Sequence, residues 1–257
     1  MRITEDRTPP SGAATPGRGL IASHDGRANA DAAGTPVLTR DLLASGRSVA
    51  LAAGDDPAAQ LTSEAERAAS LAAFLARRPS GDVWVFAYGS LIWNPAMKTS
   101  ERRMARIEGW HRAFCLSMTA GRGTTEQPGL ALGLNRGGEC LGVAYRIDED
   151  QLHCELPLLW GREMLFGGYV PRWVETRDLE GHILGPAITF TIDPHHRHYA
   201  GGLPRRAMVQ RLTNAAGSWG SAANYLFRTI SALRHNGIHD AELENMGARV
   251  AAATLSA

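Results

Sequence analysis

The sequence predicts an α+β fold built around a largely antiparallel sheet or barrel. Short apolar, strand-like runs follow one another between residues 83 and 192 with no regular strand–helix alternation. Helical patterns lie before, among and after these runs. The parallel sheets of strand–helix–strand units require regular alternation, so this order favours antiparallel pairing.

The composition excludes several classes of function. The chain has 257 residues, a formal charge of +1 and 44% apolar residues, which is typical of a globular protein. A near-neutral charge gives no electrostatic footprint for nucleic acid or an anionic membrane surface. No stretch of 18 apolar residues predicts a membrane span. The N-terminus lacks a basic segment followed by an apolar run, so we predict a cytoplasmic protein without a secretion signal.

The three cysteines, Cys115, Cys140 and Cys154, are odd in number and show no CxxC spacing. This argues against both a disulfide framework and a cysteine zinc site. We expect buried free thiols in a reducing compartment. Cys115 lies in an apolar strand pattern, where a buried thiol is inert.

The chain is predicted to have three parts. Residues 1–36 are rich in Pro and Gly without a sustained hydrophobic period, and we expect a disordered tail. Residues 37–80 form an accessory helical segment, with a short helix from Thr39 to Ser45 and a second helix opened by the capping box of Ser63 and Glu66. Residues 81–257 form the main domain.

The elements of the main domain follow from period and turn signals. Six strand-like runs are Val83–Tyr88, Ala113–Met118, Gly129–Asn135, Leu141–Ile147, Arg172–Glu175 and Ala187–Ile192. Helical patterns cover about 149–165, 204–214, 221–236 and 240–253. Pro157 lies inside the first of these helices and should kink it or split it in two.

The first candidate site is the turn after the first strand. A strand that ends in a glycine turn exposes successive backbone N–H groups, which hold an anion or polarise a carbonyl oxygen. The hydroxyl groups of Tyr88 and Ser90 add polar groups beside it. An ordinary strand-end turn explains the tetrapeptide YGSL equally well. The residues of this turn are Ala87, Tyr88, Gly89, Ser90, Leu91 and Ile92.

The second candidate is Glu163, in the run LLWGREMLFGGY. A carboxylate among apolar neighbours has a raised pKa and serves as a general base near neutral pH. The alternative is a surface glutamate paired with Arg162. Glu155, eight residues earlier, is the second-ranked carboxylate.

Two other clusters have simpler interpretations. Three histidines within four residues, His195, His196 and His198, do not easily converge on one metal ion and indicate a loop. The run Gly121-Arg122-Gly123 is either a flexible, positively charged turn or an arginine placed near an anionic substrate. His153 is expected to be partly buried on its helix.

Seven segments in order then resemble a family. They are VFAYGSLIWNP, IEGWHRAFCLSM, GRG, PGLALGL, GVAYRI, LLWGREMLFGGY and NYLFRTISAL. Over about residues 83–250 the chain is similar to the ChaC-like γ-glutamylcyclotransferases, which act on glutathione. The resemblance implies a small mixed β-barrel flanked by helices, and release of 5-oxoproline and Cys-Gly without a metal or an organic cofactor.

The resemblance also implies roles for individual residues. The turn from Ala87 to Ile92 lines the γ-glutamyl pocket, Glu163 is the catalytic glutamate, and Tyr225 is associated with the pocket. Two positions depart from the family. Ala87 replaces a frequent glycine, and Gly121 stands where many relatives have histidine, which puts a ligand role for that position in doubt.

Two other functions remain open from the sequence. The chain is either a cyclotransferase for other γ-glutamyl amines, or a non-catalytic binding or regulatory protein of the cation-transport-regulator type. A carboxylate at Glu163 argues against a dead site. We expect a small-molecule substrate, with no nucleic-acid or membrane partner. No residue pattern indicates an oligomeric state.

Overall fold

A computed structural model describes residues 38–256 of the chain. The predicted tail at residues 1–36 lies outside the described residues. Within residues 38–256, none of the helices has the length and apolar character needed to cross a membrane.

Five strands form a closed barrel, which confirms the α+β prediction. β1 pairs antiparallel with β3 and parallel with β5, and all the other pairings are antiparallel. The barrel is therefore mixed but largely antiparallel, with the strand order β1-β3-β2-β4-β5. The strands are β1 (Val83–Ala87), β2 (Glu101–Met118), β3 (Gly129–Ile147), β4 (Tyr169–Arg177) and β5 (Ile183–Ile192).

The β2–β3 hairpin is longer than the sequence predicts. β2 begins at Glu101, twelve residues before the predicted strand. The many charged residues in its first half hide the apolar pattern by which the strand was predicted. β3 joins the two predicted runs into one strand. Gly137 and Gly138, with φ values of +97° and +73°, continue the strand through an exposed stretch. That polar stretch breaks the apolar pattern, so the sequence alone divides the strand.

Helices cover the ends and sides of the barrel. Their bounds are α1 (Arg40–Ala44), α2 (Arg47–Asp55), α3 (Glu64–Leu75), α4 (Ser90–Trp93), α5 (Leu152–Glu163), α6 (Arg205–Asn214), α7 (Ala222–His235) and α8 (Ala241–Leu255). A 3₁₀ turn, Glu149–Gln151, precedes α5, and a two-stranded ribbon, Ala216–Gly217 (β6) with Gly220–Ser221 (β7), precedes α7.

Of the two predicted effects of Pro157, a kink or a split, the split is wrong. The helix continues from Leu152 through Glu163 with the proline inside it. Proline removes one helical bond, to the carbonyl of His153. Both Pro157 and His153 are exposed, so that carbonyl lies on the solvent-facing side of the helix. The expectation that His153 is partly buried is wrong for the same reason.

The accessory segment is docked on the barrel by buried polar contacts. The carboxylate of Glu155 on α5 is fully buried and pairs with the Arg40 guanidinium through both of its oxygens. It also accepts a bond from the Lys98 amide at 3.0 Å. The capping box of Ser63 and Glu66 forms at the start of α3, as predicted.

Gly46 ends α1 with φ +68°, and a second helix, α2, follows it that the sequence did not predict. The short helix predicted from Thr39 to Ser45 therefore ends where expected, but the chain enters a second helix at once. This helix is only nine residues long. Its contacts to distant loops, described below, hold it in place.

We expect Arg40→Ala to destabilise the protein by about 2 kcal/mol. The variant leaves the buried Glu155 carboxylate without its cation, a loss between the ~1 kcal/mol of an exposed pair and the ~3–5 kcal/mol of a buried one. Chemical denaturation measures the change. Arg78→Ala is the matched control, because its partner Glu149 is 73% exposed, and it should cost less than about 1 kcal/mol. Equal losses in the two variants would contradict the role given to Glu155.

Candidate active site

The turn after β1 is shaped by a close approach between Gly89 and α7. A Cβ atom on Gly89 would lie 3.1 Å from the hydroxyl oxygen of Tyr225 and 3.6 Å from Leu132. Glycine is therefore required for the turn and this tyrosine to meet without displacement. The Arg112 guanidinium donates to the Tyr88 carbonyl at 2.7 Å and holds the turn on the barrel.

The turn offers backbone donors, but not all of those expected. The Ile92 amide already donates to the Gly89 carbonyl at 3.0 Å, so it is not available to a ligand. The first amides of a helix have no acceptor within that helix. In α4 these are the amides of Gly89, Ser90 and Leu91. These three amides are the remaining donors of the turn.

Glu163 lies at the C-terminal end of α5, and its side chain is 12% exposed. The Arg162 Nε atom lies 3.0 Å from its Oε1, close enough for an ion pair. The angle at this contact is not that of a hydrogen bond, and among the described residues Oε1 has no hydrogen-bond partner. Burial raises the pKa of Glu163, and the positive charge of Arg162 opposes that shift.

Arg162 joins the turn to the carboxylate. Its side chain is 4% exposed. One terminal nitrogen donates to Ser90 Oγ at 2.9 Å, and the other donates to the Asn94 carbonyl. The same guanidinium therefore faces Glu163 with Nε and binds both ends of α4 with its terminal nitrogens, Ser90 at the start and Asn94 directly after the end. Sequence reasoning treated Arg162 only as a surface partner of Glu163.

Three tyrosines complete the wall. Tyr225 accepts a bond from the Leu132 amide at 3.3 Å, which leaves its own proton to be donated. Tyr169 and Tyr88 donate to the carbonyls of Leu132 and Phe190, at 2.6 and 2.7 Å. Burial raises the pKa of Tyr225 to about 12, and it raises the pKa values of Tyr88 and Tyr169 well above their usual range. All three are neutral hydroxyl groups near neutral pH.

Glu163 and the turn face a common space. An inner cavity, whose empty space of about 270 Å³ includes open solvent, is lined by Tyr88, Gly89, Ser90, Leu91, Leu132, Glu163, Tyr169, Phe190 and Tyr225. A wider outer cavity of about 680 Å³, open to solvent, shares four of these residues, Ser90, Glu163, Tyr169 and Tyr225. Of the candidate site residues, Ala87 and Ile92 line neither cavity. Ala87 is buried in β1, and the Ile92 carbonyl accepts from Tyr145 at 3.1 Å.

Tyr169 and Arg162 are two polar cavity residues that sequence reasoning missed. Tyr169 is the tyrosine of the GGY run that follows Glu163, so the signal was present in the quoted segment. Arg162 is the residue directly before the candidate base. Neither could be placed in the cavity without knowing that α5 ends at the turn after β1.

Arg122 lies in the outer cavity, so its loop is not an exposed tip. The side chain is buried, and its guanidinium lies 5.2 Å from the Tyr225 ring centre. The loop is also tightly held, because a Cβ on Gly121, where φ is +76°, would lie 2.5 Å from the Trp219 ring. This corrects the expectation of a flexible turn.

The remaining candidates lie away from the cavities. Glu155 forms the buried pair with Arg40 described above and lines neither cavity. Cys115 is buried and its pKa is raised to about 12 by desolvation, which agrees with an inert thiol. Cys154 is exposed, so the expectation of three buried thiols is wrong for this residue.

The histidine cluster lies on the loop after β5. His198 Nδ1 lies 3.2 Å from the carbonyl of Ser117, and the cluster packs beside β2. In residues 38–256, no three His, Cys, Asp or Glu side chains are grouped so that they could hold a metal ion.

Comparison with known proteins identifies the family of the chain. Residues 83–253 match the family model for ChaC-like proteins. The chain is 46% identical over 187 residues to the glutathione-specific γ-glutamylcyclotransferase of Escherichia coli K12, covering 72% of this chain and 80% of the relative. It is 31% identical over 158 residues to the human glutathione-specific γ-glutamylcyclotransferase 1, covering 59% and 71% of the two chains.

A solved structure shares the fold. The crystal structure of a yeast γ-glutamyl cyclotransferase specific to glutathione superposes with a TM-score of 0.61 at 20% identity, covering 66% of this chain and 96% of that chain. The family match spans the whole barrel and the helices that carry Glu163 and Tyr225. The chain belongs to the family of ChaC-like proteins.

Proposed function

We propose that this protein is a γ-glutamylcyclotransferase that cleaves glutathione to 5-oxoproline and Cys-Gly. The observation that carries the proposal is the shared cavity, in which a buried carboxylate, Glu163, faces the glycine turn of residues 88–91. The names of the bacterial and human relatives support glutathione as the substrate.

The reaction closes a ring within one substrate molecule. The α-amine of the γ-glutamyl group attacks its own γ-carbonyl carbon, an N–C bond forms, and the bond to the cysteine nitrogen breaks. Because the nucleophile and the electrophile belong to the same molecule, the protein's main task is to hold the folded conformer. The narrow inner cavity is suited to the γ-glutamyl group, and the outer cavity to the departing dipeptide.

Glu163 is the proposed general base. The α-amine arrives mostly as an ammonium ion at pH 7 and must lose a proton before it attacks. The attacking nitrogen loses two protons between the ammonium ion and the lactam, and the departing nitrogen gains two as it leaves as an ammonium ion. A buried carboxylate with a raised pKa accepts these protons in turn and passes each of them on to the departing nitrogen, so that no net proton is consumed. The positive charge of Arg162 opposes the effect of burial and favours the ionised carboxylate, which is the form that accepts a proton.

The negative charge that develops on the γ-carbonyl oxygen needs preorganised donors. The amides of residues 89–91 and the hydroxyl proton of Tyr225 converge at the closest approach of the turn and α7. Donors that are already oriented stabilise the tetrahedral intermediate without reorganisation. Ala87 and Ile92 hold the turn in place and have no contact with the substrate.

The direct test is turnover by the purified protein. Glutathione and γ-glutamyl-alanine are supplied separately, and 5-oxoproline is measured by mass spectrometry. Formation from glutathione at a higher kcat/KM supports the proposal. A preference for γ-glutamyl-alanine would favour the second candidate, a cyclotransferase for other γ-glutamyl amines. No 5-oxoproline from either compound would favour the non-catalytic alternative.

We expect Gly89→Ala to lower kcat/KM for glutathione by about 10–100-fold, because small misplacements of reacting groups carry losses of that order. The new methyl group would lie 3.1 Å from the Tyr225 hydroxyl oxygen and push it away from the turn. Steady-state kinetics measures the loss. Gly161→Ala on α5 is the matched control, because nothing lies within 4 Å of its Cβ position. A Gly89→Ala variant within twofold of the wild type would contradict this assignment.

A further inference from the structure

Trp219 lies in the wall of the outer cavity with an unused hydrogen-bond donor. The residue is 7% exposed and lines that cavity together with Arg122 and Phe166. Its indole Nε1 is buried and has no hydrogen-bond partner in the part of the chain that the structure describes. A buried N–H without an acceptor is costly, and in a cavity wall a bound ligand can supply the missing acceptor.

The ring of Trp219 is fixed by the loop that carries Arg122. The Trp219 amide donates to the Gly121 carbonyl at 2.7 Å. The indole packs directly over Gly121, where any Cβ atom would lie 2.5 Å from the ring. The loop and the tryptophan therefore form one wall, and a shift of either displaces the other.

This wall is held from outside by Asp55, the last residue of α2 in the accessory segment. Its carboxylate accepts from the Gly121 amide at 2.7 Å and from the Ser218 amide at 2.9 Å. It also accepts from the Ser218 hydroxyl at 2.7 Å. Three donors from two separate loops thus meet on one carboxylate. Each loop carries a cavity residue, Arg122 or Trp219, directly after the residue that Asp55 binds.

The accessory segment also reaches the cavity itself. Leu38 lines the outer cavity, and its carbonyl accepts from the Asn94 side-chain amide at 3.0 Å. Residues 38–56 lie outside the span that matches the family model, which begins at residue 83. This segment therefore builds part of the outer cavity from residues that the family model does not include.

We propose that the Trp219 indole N–H binds an acceptor oxygen of the departing dipeptide, and that Asp55 is the positioning residue that holds Trp219 in place. The inference rests on the proposed function, since it assigns the outer cavity to the part of glutathione that leaves. The departing group offers a cysteine carbonyl and a terminal carboxylate, and either accepts a bond from an indole N–H. Trp219 is thus a specificity-determining residue for the group attached to the γ-glutamyl carbonyl.

The test measures glutathione affinity without turnover. In a Glu163→Gln background, calorimetry gives the Kd for glutathione. Adding Trp219→Phe keeps the ring but removes the donor, and we expect the Kd to rise about fivefold or more. The matched control is Trp173→Phe. Trp173 also has a buried Nε1 without a partner among the described residues, but it stacks on Phe74 at 4.9 Å and lines neither cavity, so its Kd should stay within twofold.

Asp55→Ala tests the positioning role in the wild-type background. The variant removes the carboxylate oxygen that accepts from the Gly121 amide and from both donors of Ser218, so we expect KM for glutathione to rise about tenfold, with a much smaller effect on kcat. A purely structural role would reduce the folded fraction, and with it kcat, but would leave KM unchanged. Asp41→Ala, at an exposed acid in the same segment, should change neither constant.

The coupling between Asp55 and Trp219 completes the test. It is obtained from the Kd for glutathione of the single and double variants, again in the Glu163→Gln background. If Asp55 acts through Trp219, the double variant should have a Kd within twofold of that of the weaker-binding single variant, because the effects are not additive. An unchanged Kd in Trp219→Phe, or fully additive losses, would overturn the inference. Either result is separate from failure of the proposed function, which requires that the wild-type protein form no 5-oxoproline from glutathione.

Discussion

Glu163→Gln should reduce 5-oxoproline formation from glutathione by about 10²–10⁴-fold, the range typical of a lost general base. The amide has almost the same shape as the carboxylate but cannot take a proton from the substrate ammonium. Turnover at a single fixed pH near 7 measures the effect. Glu155→Gln is a poor control, since Glu155 holds the accessory segment. Glu149→Gln, at an exposed glutamate before α5, is the matched one and should leave turnover unchanged.

The same variant should retain its stability, which separates lost chemistry from lost folding. The pKa of Glu163 is raised in the folded protein, so ionisation of this side chain favours the unfolded chain. The stability that the protonated carboxyl provides is present below the unfolded pKa and is lost as pH rises through the folded pKa. At pH 7 the variant loses this unfavourable ionisation but also the ion pair with Arg162, whose guanidinium keeps its bonds to Ser90 and Asn94. The two effects oppose each other, so Glu163→Gln should melt close to the wild type. A large fall in both Tm and turnover would contradict the assignment of Glu163 as a base.

Arg162→Met should move the acid limb of the kcat/KM–pH profile to higher pH. Arg162 lowers the pKa of Glu163, against the raising effect of burial, so its removal raises that pKa and keeps the base protonated to higher pH. The other titratable groups that face Glu163 are Tyr88, Tyr169 and Tyr225, which stay neutral across this range. The Glu163 carboxylate is therefore the group whose titration the acid limb reports.

Arg162→Met should also destabilise the protein by about 3–5 kcal/mol, since it leaves a buried carboxylate without its cation. Arg162→Lys separates charge from geometry. Lysine keeps the positive charge but cannot reach Ser90 Oγ, the Asn94 carbonyl and Glu163 together, so its acid limb should remain close to that of the wild type while kcat falls. An acid limb in Arg162→Met that coincides with the wild-type limb would exclude Arg162 as the group that sets the pKa of Glu163.

Local patterns in the sequence predict some elements well and others poorly. The helix after Ser63 is predicted because its capping box is contained within four residues. α2 is missed because its last residue, Asp55, is held by Gly121 and Ser218, which follow it in the chain by 66 and 163 positions. The first half of β2 is missed because its charged residues face solvent on an exposed hairpin.

The candidate site shows the same division. The glycine turn and Glu163 are identified from their segments and from the resemblance to the family. The turn and Glu163 are brought together by Arg162, which contacts both Ser90 and Glu163. The sequence alone identifies Arg162 only as a charged neighbour of Glu163. The use of the Ile92 amide within the turn also follows from the local backbone and not from residue type.

The most direct test of the proposed mechanism is a crystal structure of Glu163→Gln with glutathione bound. We expect the substrate amine within hydrogen-bond distance of the side chain at position 163 and the γ-carbonyl oxygen against the amides of residues 89–91. The Cys-Gly portion should lie in the outer cavity. Glutathione bound in the reverse direction, with Cys-Gly in the inner cavity, or bound away from residue 163, would contradict the mechanism.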